Sequence, residues 1–258
     1  MPRHGRSFVV HSYGVVACLA VLCLASPAFA QVRVTEAMSS SGGLTGVGTG
    51  DWFEITNYGA TAVDLTGWKV DDSSYLFSSS LAINGVTNLA AGESVLFLEA
   101  KGTLGQETTE TAALQSFWGG TAQTAQVGWY RGSGIGLSST ADGLVLFNAD
   151  GTEATPRVAF GAATAGSSFY WAYSPSGSFS EGSPTNGLVS TVGTLPGESG
   201  GISQSSYLSI DPPVTPFNVV NTGSPGTAAV VPEPSTMALA AAGIGLAGLA
   251  ARRRLRRA

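Results

Sequence analysis

The sequence predicts an all-β body held between two apolar, helix-forming ends. From Val32 onward, short β-type runs alternate with Gly, Asn, Asp and Ser, and no convincing helical period occurs outside the two termini. Several runs alternate apolar and polar residues strictly, the pattern of a strand with one face on a core. Those features together select sheet over helix.

The first apolar end comes with a cleavage pattern. Arg3 and Arg6 form a basic start, residues 15–25 are apolar, and Ala28-Phe29-Ala30 is a small-x-small site before Gln31. This predicts a secretory signal peptide over residues 1–30, with Ala28, Ala30 and Gln31 at the cut. Val15-Val16-Ala17-Cys18 loosely fits a lipidation box, but apolar sequence continues past the cysteine. Both cysteines (Cys18, Cys23) and both histidines (His4, His11) fall in this segment. A body starting at Gln31 therefore lacks thiol nucleophiles, Ser-His-Asp triads, disulfides and His- or Cys-ligated zinc or haem. It must be held by its own apolar core.

Charge is distributed just as unevenly. Between Gln31 and Val231 there are five cations (Arg33, Lys69, Lys101, Arg131, Arg157) against sixteen acids, so 5 − 16 = −11. Such a surface repels phosphate backbones, and nucleic acid is not an expected partner.

Along the body, Val32, Val34 and Glu36 alternate with Arg33 and Thr35 as a first strand. Residues 39–50 are a Gly/Ser/Thr loop. Asp51-Trp52-Phe53-Glu54-Ile55-Thr56 follows, with Phe53 and Ile55 on one face and Trp52, Glu54 and Thr56 on the other. Asn57-Tyr58-Gly59 turns the chain. In Val63-Asp64-Leu65-Thr66-Gly67-Trp68-Lys69-Val70 the apolar residues are odd-numbered to Leu65 and even-numbered from Trp68. That parity switch predicts a bulge or bend at Gly67.

From Asp51-Trp52-Phe53-Glu54-Ile55 through Val63-Asp64-Leu65-Thr66-Gly67-Trp68 to Asp71-Asp72, the chain resembles the core of the lamin-tail domain. The likeness continues in Leu89-Ala90-Ala91-Gly92-Glu93-Ser94-Val95-Leu96-Phe97 and in Gly136-Leu137-Ser138 with Asp142-Gly143-Leu144-Val145-Leu146-Phe147. It extends to Gly223-Ser224-Pro225-Gly226. The resemblance implies an immunoglobulin-like β-sandwich, here over residues 31–227, and the strand-and-turn rhythm permits one. Two segments depart from the family pattern. Residues 101–126 are a polar insertion, of which 106–116 are expected to form a short helix over an open sheet edge. Residues 174–206 are rich in Ser, Gly and Pro, and the sandwich closes near Pro184 or near Pro225. Strand-like residues 207–210 and 217–220 favour the later point.

Carboxylates are the remaining catalytic resource. Asp51 and Glu54 have an odd spacing that sends them to opposite faces of a strand, a poor arrangement for a catalytic pair. Asp71 and Asp72 are candidate calcium ligands, set against ordinary turn chemistry. Gly132-Ser133-Gly134-Ile135-Gly136 lacks the helix and Lys-Ser/Thr of a phosphate loop and is expected to be a hairpin connection. Trp52 and Trp68 belong with the core. Trp118, Trp129 and Tyr130 are candidate stacking platforms for a ligand such as a neutral polysaccharide, with Tyr170 and Tyr173 also outside the family motif.

The second apolar end closes the chain. Pro232-Glu233-Pro234 precedes an apolar run over residues 237–251, then Arg252, Arg253, Arg254, Arg256 and Arg257. A helix of roughly 17 residues would span about 25 Å, enough for a thin bilayer core, with the arginines as a stop-transfer cluster on the cytoplasmic side. The two prolines keep the hexapeptide Val231-Pro-Glu-Pro-Ser-Thr extended and outside that helix. This tripartite end resembles the PEP-CTERM sorting signal of Gram-negative bacteria. The resemblance implies export by the general secretion machinery, recognition by exosortase, removal of the tail, and display at the cell surface or release. The expected role is non-enzymatic, binding or structural, near extracellular polysaccharide or biofilm matrix. A permanent membrane anchor and a carboxylate-only hydrolase are the alternatives.

Overall fold

The computed structural model describes residues 32–41, 50–175, 177–181, 183–191, 207–208 and 221–228. The expected signal peptide and its cut, the strand at 217–220, the sorting motif, the apolar tail helix and the arginine cluster lie outside the described residues. Among those described, no helix is long and apolar enough to cross a membrane.

The strands run β1 Val32–Met38, β2 Trp52–Asn57, β3 Val63–Asp64, β4 Lys69–Asp71, β5 Leu81–Asn84, β6 Asn88–Leu89, β7 Ser94–Glu99 and β8 Gln126–Tyr130. They continue as β9 Asp142–Phe147, β10 Val158–Phe160, β11 Phe169–Tyr170, β12 Ala172–Tyr173, β13 Phe179–Glu181, β14 Leu188–Val189, β15 Tyr207–Leu208 and β16 Thr222–Gly223. Ten of them form one sheet, ordered β10-β9-β4-β5-β8-β7-β2-β1-β11-β14. Its two ends come together. Ala159 of β10 donates to the Pro184 carbonyl (2.6 Å) and accepts from Gly187 (2.9 Å), in the turn that feeds β14. The sheet thus folds back on itself into an immunoglobulin-like sandwich and leaves little open edge.

The inner core lies between the two layers. Phe53, Ile55, Val95, Phe97 and Tyr130 come from one side, and Val70, Leu144, Leu146, Val158 and Phe160 from the other. Trp68 belongs to this core, at 6% exposure. At Gly67 the expected bend is present. Trp68 donates to the Leu65 carbonyl (3.0 Å) and Gly67 has φ of 76°. The turn transfers the chain from pairing with β6 to pairing with β5 and β9, which is why the apolar parity flips there.

The insertion behaves differently from its sequence reading. Its helix, α1 (Glu107–Trp118), is the crossover between β7 and β8, which run parallel. A parallel pair cannot be joined by a tight turn and needs such a connection. The helix covers the outer face of the sheet, not an open edge. Leu114, Phe117 and Trp118 pack with Met38, Trp52, Leu96 and Leu98 in a second apolar cluster. The Gly132–Gly136 loop is also not a hairpin. β8 pairs with β5 and β7, β9 with β4 and β10, and Ile135 plugs the loop into the core.

Replacing Trp118 with Ala removes the edge-to-face partner of Trp52, 5.6 Å away by ring centroids. We expect a loss of about 3–5 kcal/mol in urea unfolding, the cost of a large aromatic deletion from a packed core.

Candidate functional site

The most unusual chemistry in the described residues is a pair of buried carboxylates, Glu36 and Glu54, at 1% and 0% exposure. An irregularity in β1 brings them together. Val34 pairs with Ile55 and Glu36 with Glu54, leaving Thr35 as an extra residue between them. The bulge sends Glu36 to the outer face with Glu54, away from the face of Val32 and Val34 where strict alternation had placed it. The parity signal was present: the apolar residues buried in the inner core are Val32, Val34 and then Ala37.

Hydroxyl and amide donors converge on the pair. Ser168 Oγ donates to Glu36 Oε1 (2.5 Å), and Ser190 lies 2.7 Å from Ser168. Thr35 Oγ1 donates to Glu54 Oε1 (2.5 Å) and continues through Thr56 to Ser94. The remaining donors come from a strap, residues 221–228. Ser224 donates its amide to Glu36 Oε1 (2.8 Å) and its hydroxyl to Oε2 (3.1 Å), while the Gly226 amide donates to Glu54 Oε2 (2.7 Å). Backbone bonds between Ser168 and Thr222 (3.0 Å) and between Thr222 and Gly166 (2.6 Å) hold the strap's start. Thr121 Oγ1 donates to the Pro225 carbonyl (2.9 Å) from the side of α1. Gly223 is needed for close approach, because a Cβ there would meet Glu36 Oε1 at 2.5 Å. Gly226, at φ of 86°, makes a turn that other residues rarely adopt.

Electrostatics sets the protonation. Burial is the largest effect on both groups, pushing the Glu36 carboxyl up to about 7 and the Glu54 carboxyl to about 8. Repulsion from Glu36 adds to the rise at Glu54, and the hydroxyl and amide donors partly oppose it on each. The Tyr58 hydroxyl is raised by burial and then by Glu54.

The other carboxylates go elsewhere. Asp51 joins Glu99 and Lys101, whose Nζ is 2.8 Å from Glu99 and 3.8 Å from Asp51. Burial raises the Asp51 carboxyl to about 7, with Lys101 opposing. Asp71 and Asp72, candidate calcium ligands set against turn chemistry, are bonded as turn residues. Asp71 accepts from Ser74 Oγ (2.5 Å), the Leu76 amide (2.7 Å) and Ser79 Oγ (3.0 Å), and Asp72 accepts from the Ser74 amide (3.0 Å). These donors tie up Asp71 in the turn after β4 and put Asp72 in a short Asx turn. Among the described residues no group of three or more His, Cys, Asp or Glu side chains is placed to hold a metal ion.

The stacking platforms are also revised. Trp118 and Tyr130 are 2% and 0% exposed. Trp118 is sealed between α1 and β2, and Tyr130 points into the inner core against Phe53, 5.6 Å away. Tyr173 is buried as well, donating to the Val34 carbonyl (2.9 Å). Trp129 and Tyr170 are half-buried. Beside the strap, Glu93, Ser94, Thr121 and Thr124 line an open, hydroxyl-rich groove of about 290 Å³.

A family model for the Lamin Tail Domain matches residues 25–162, just over half of the chain. The chain belongs to the lamin-tail domain family. A second model, the PEP-CTERM protein-sorting motif, matches residues 230–254. No curated protein matches the chain. The lamin-tail match stops in β10's turn, so the strap and the Ser168–Ser190 arm of the carboxylate site lie beyond it. This lamin-tail protein therefore carries an exosortase sorting signal a few residues after the strap, which implies export to the cell envelope or surface.

The carboxylate pair predicts a pH dependence. Both groups bind protons more tightly folded than unfolded, so their stabilisation is fully present below about pH 4.5. It is lost as pH rises through about 7 for Glu36 and about 8 for Glu54. The urea midpoint should fall between pH 5 and 8.5, and Glu36→Gln with Glu54→Gln should remove most of that fall. Asp51 contributes the remainder with the same sign.

Proposed function

We propose that this lamin-tail protein is a non-enzymatic surface protein, trimmed by exosortase and serving a binding or structural role in extracellular polysaccharide or biofilm matrix. The observation that carries the reading is the sorting motif at residues 230–254, directly after a folded β-domain. A domain presented in this way is a passenger, delivered by its tail and active where it is displayed. A signal peptide at residues 1–30 would start the same route.

Two features favour binding over catalysis. The body has no histidine or cysteine between Gln31 and Val231. Its buried carboxylates are engaged by protein donors: Glu36 and Glu54 by the strap, Asp71 by its turn, and Asp142 by the amides of Ser73, Ser138 and Gly143. For polysaccharide contact, the partly exposed Trp129 and the hydroxyl-lined groove beside the strap supply stacking and hydrogen bonding of the type neutral sugars use.

Intact-mass measurement of the surface form tests the sorting step. We expect an N-terminus at Gln31 and a C-terminus near Pro234, and a retained Arg257 would favour the permanent anchor. Trp129→Ala should weaken retention of that surface form on neutral polysaccharide by about threefold to tenfold. Unchanged retention argues against stacking at this residue.

A further inference from the structure

We propose that the Glu36–Glu54 pair and the strap of residues 221–228 form a proton-sensitive clasp that restrains the sorting motif and releases it as the pair loses its protons. The gating half of this rests on the exosortase reading above; the clasp itself does not.

The geometry comes first. The strap is the last described part of the chain before the motif, and buried carboxylates hold it through the amides of Ser224 and Gly226. Only four residue steps separate Ala228 from Pro232. With the strap fastened, those steps reach at most about 14 Å. Freeing the strap back to Asn221 adds roughly 25 Å of reach. A membrane-embedded enzyme must bring the motif into its own active site, and a short tether to a bulky domain leaves less room for that than a long one.

The chemistry supplies the trigger. Protonating either carboxyl relieves their mutual repulsion, and full ionisation restores it in a buried site. The groups around the pair compensate only in part, because hydrogen-bond donors favour the ionised form but burial outweighs them. From β1 and β2 come Thr35 and Thr56, from β11's approach and β14's exit Ser168 and Ser190, and from α1's end Trp118 and Thr121. Tyr58 is the other titratable neighbour, and Glu54 pushes its hydroxyl further from ionising. Among the described residues no cationic side chain bonds to either carboxylate. Protonation therefore offsets what the donors leave uncompensated, and the strap is the wall whose amides bond to the carboxyls themselves.

Amide hydrogen exchange of the full-length chain in detergent micelles, read against intrinsic exchange rates at each pH, tests the clasp. Protection over residues 221–228 should fall at least tenfold between pH 5.5 and 8.5, while β2 and β7 change less than twofold. Glu36→Gln with Glu54→Gln should hold strap protection within twofold over the same range. A strap that exchanges in step with β2, or a glutamine variant that keeps the pH response, overturns the clasp. If the double variant does not fold, wild-type exchange at the strap against β2 decides alone. For gating, exosortase-bearing cells should trim the wild type several-fold faster at an external pH of 8 than at 6. Gly226→Pro removes the donor to Glu54 and cannot adopt that turn, and it should be trimmed at one rate at both. Equal wild-type rates overturn gating. No trimming in any variant overturns the sorting reading instead and leaves the exchange result standing.

Discussion

Two carboxylates in the dry layer of a sheet are a liability unless something holds and neutralises them. In this protein a bulge, a row of hydroxyls and a returning strap do so. The bulge at Thr35 sets Glu36 across from Glu54, the hydroxyls of Ser168 and Thr35 meet one oxygen of each, and a distant strap delivers the amides for the others. The strap lies 172 and 188 residues along the chain from the carboxylates it caps, so that contact is a product of the tertiary fold. A buried polar network satisfied this late favours one final arrangement over near alternatives.

The outer face of the sheet is consequently split in two. One half is apolar and lies under α1, where Trp52, Trp118 and Phe117 pack edge to face. The other half is polar, a row of Ser and Thr hydroxyls closed by the strap. The crossover helix and the strap meet at Thr121, whose hydroxyl holds the Pro225 carbonyl. Insertion and terminus thus form one cover. That arrangement also explains the fate of Trp118, which roofs the outer face of the sheet.

Much of the fold was legible in order along the chain. Strict alternation identified β2, the parity switch identified the turn at Gly67, and the family-like motifs identified the sandwich. The same parity rule, applied at Val32, Val34 and Ala37, would have exposed the bulge in β1 and with it the facing carboxylates. It was masked by Glu36, a polar residue that fits either face of an exposed strand equally well. Asp71 and Asp72 could be read two ways for a related reason, and the turn reading is the one their hydrogen bonds fit. A carboxylate pair looks the same in sequence whether its acceptors face a cation or its own loop's hydroxyls.

What the residues determined alone was local and compositional. Period-two patterning, turn-forming glycines, an imidazole-free and thiol-free body, and a terminal sorting motif all follow from short-range chemistry. Tertiary structure decided which faces were covered. Trp118 became core because a parallel β7–β8 pair requires a crossover that lands on the sheet, and Tyr130 because the second layer closes over its inner face. Glu36 and Glu54 became a site because a segment far along the chain returns to cap them. Burial is a property of what arrives from elsewhere in the fold, and no local window of sequence contains it.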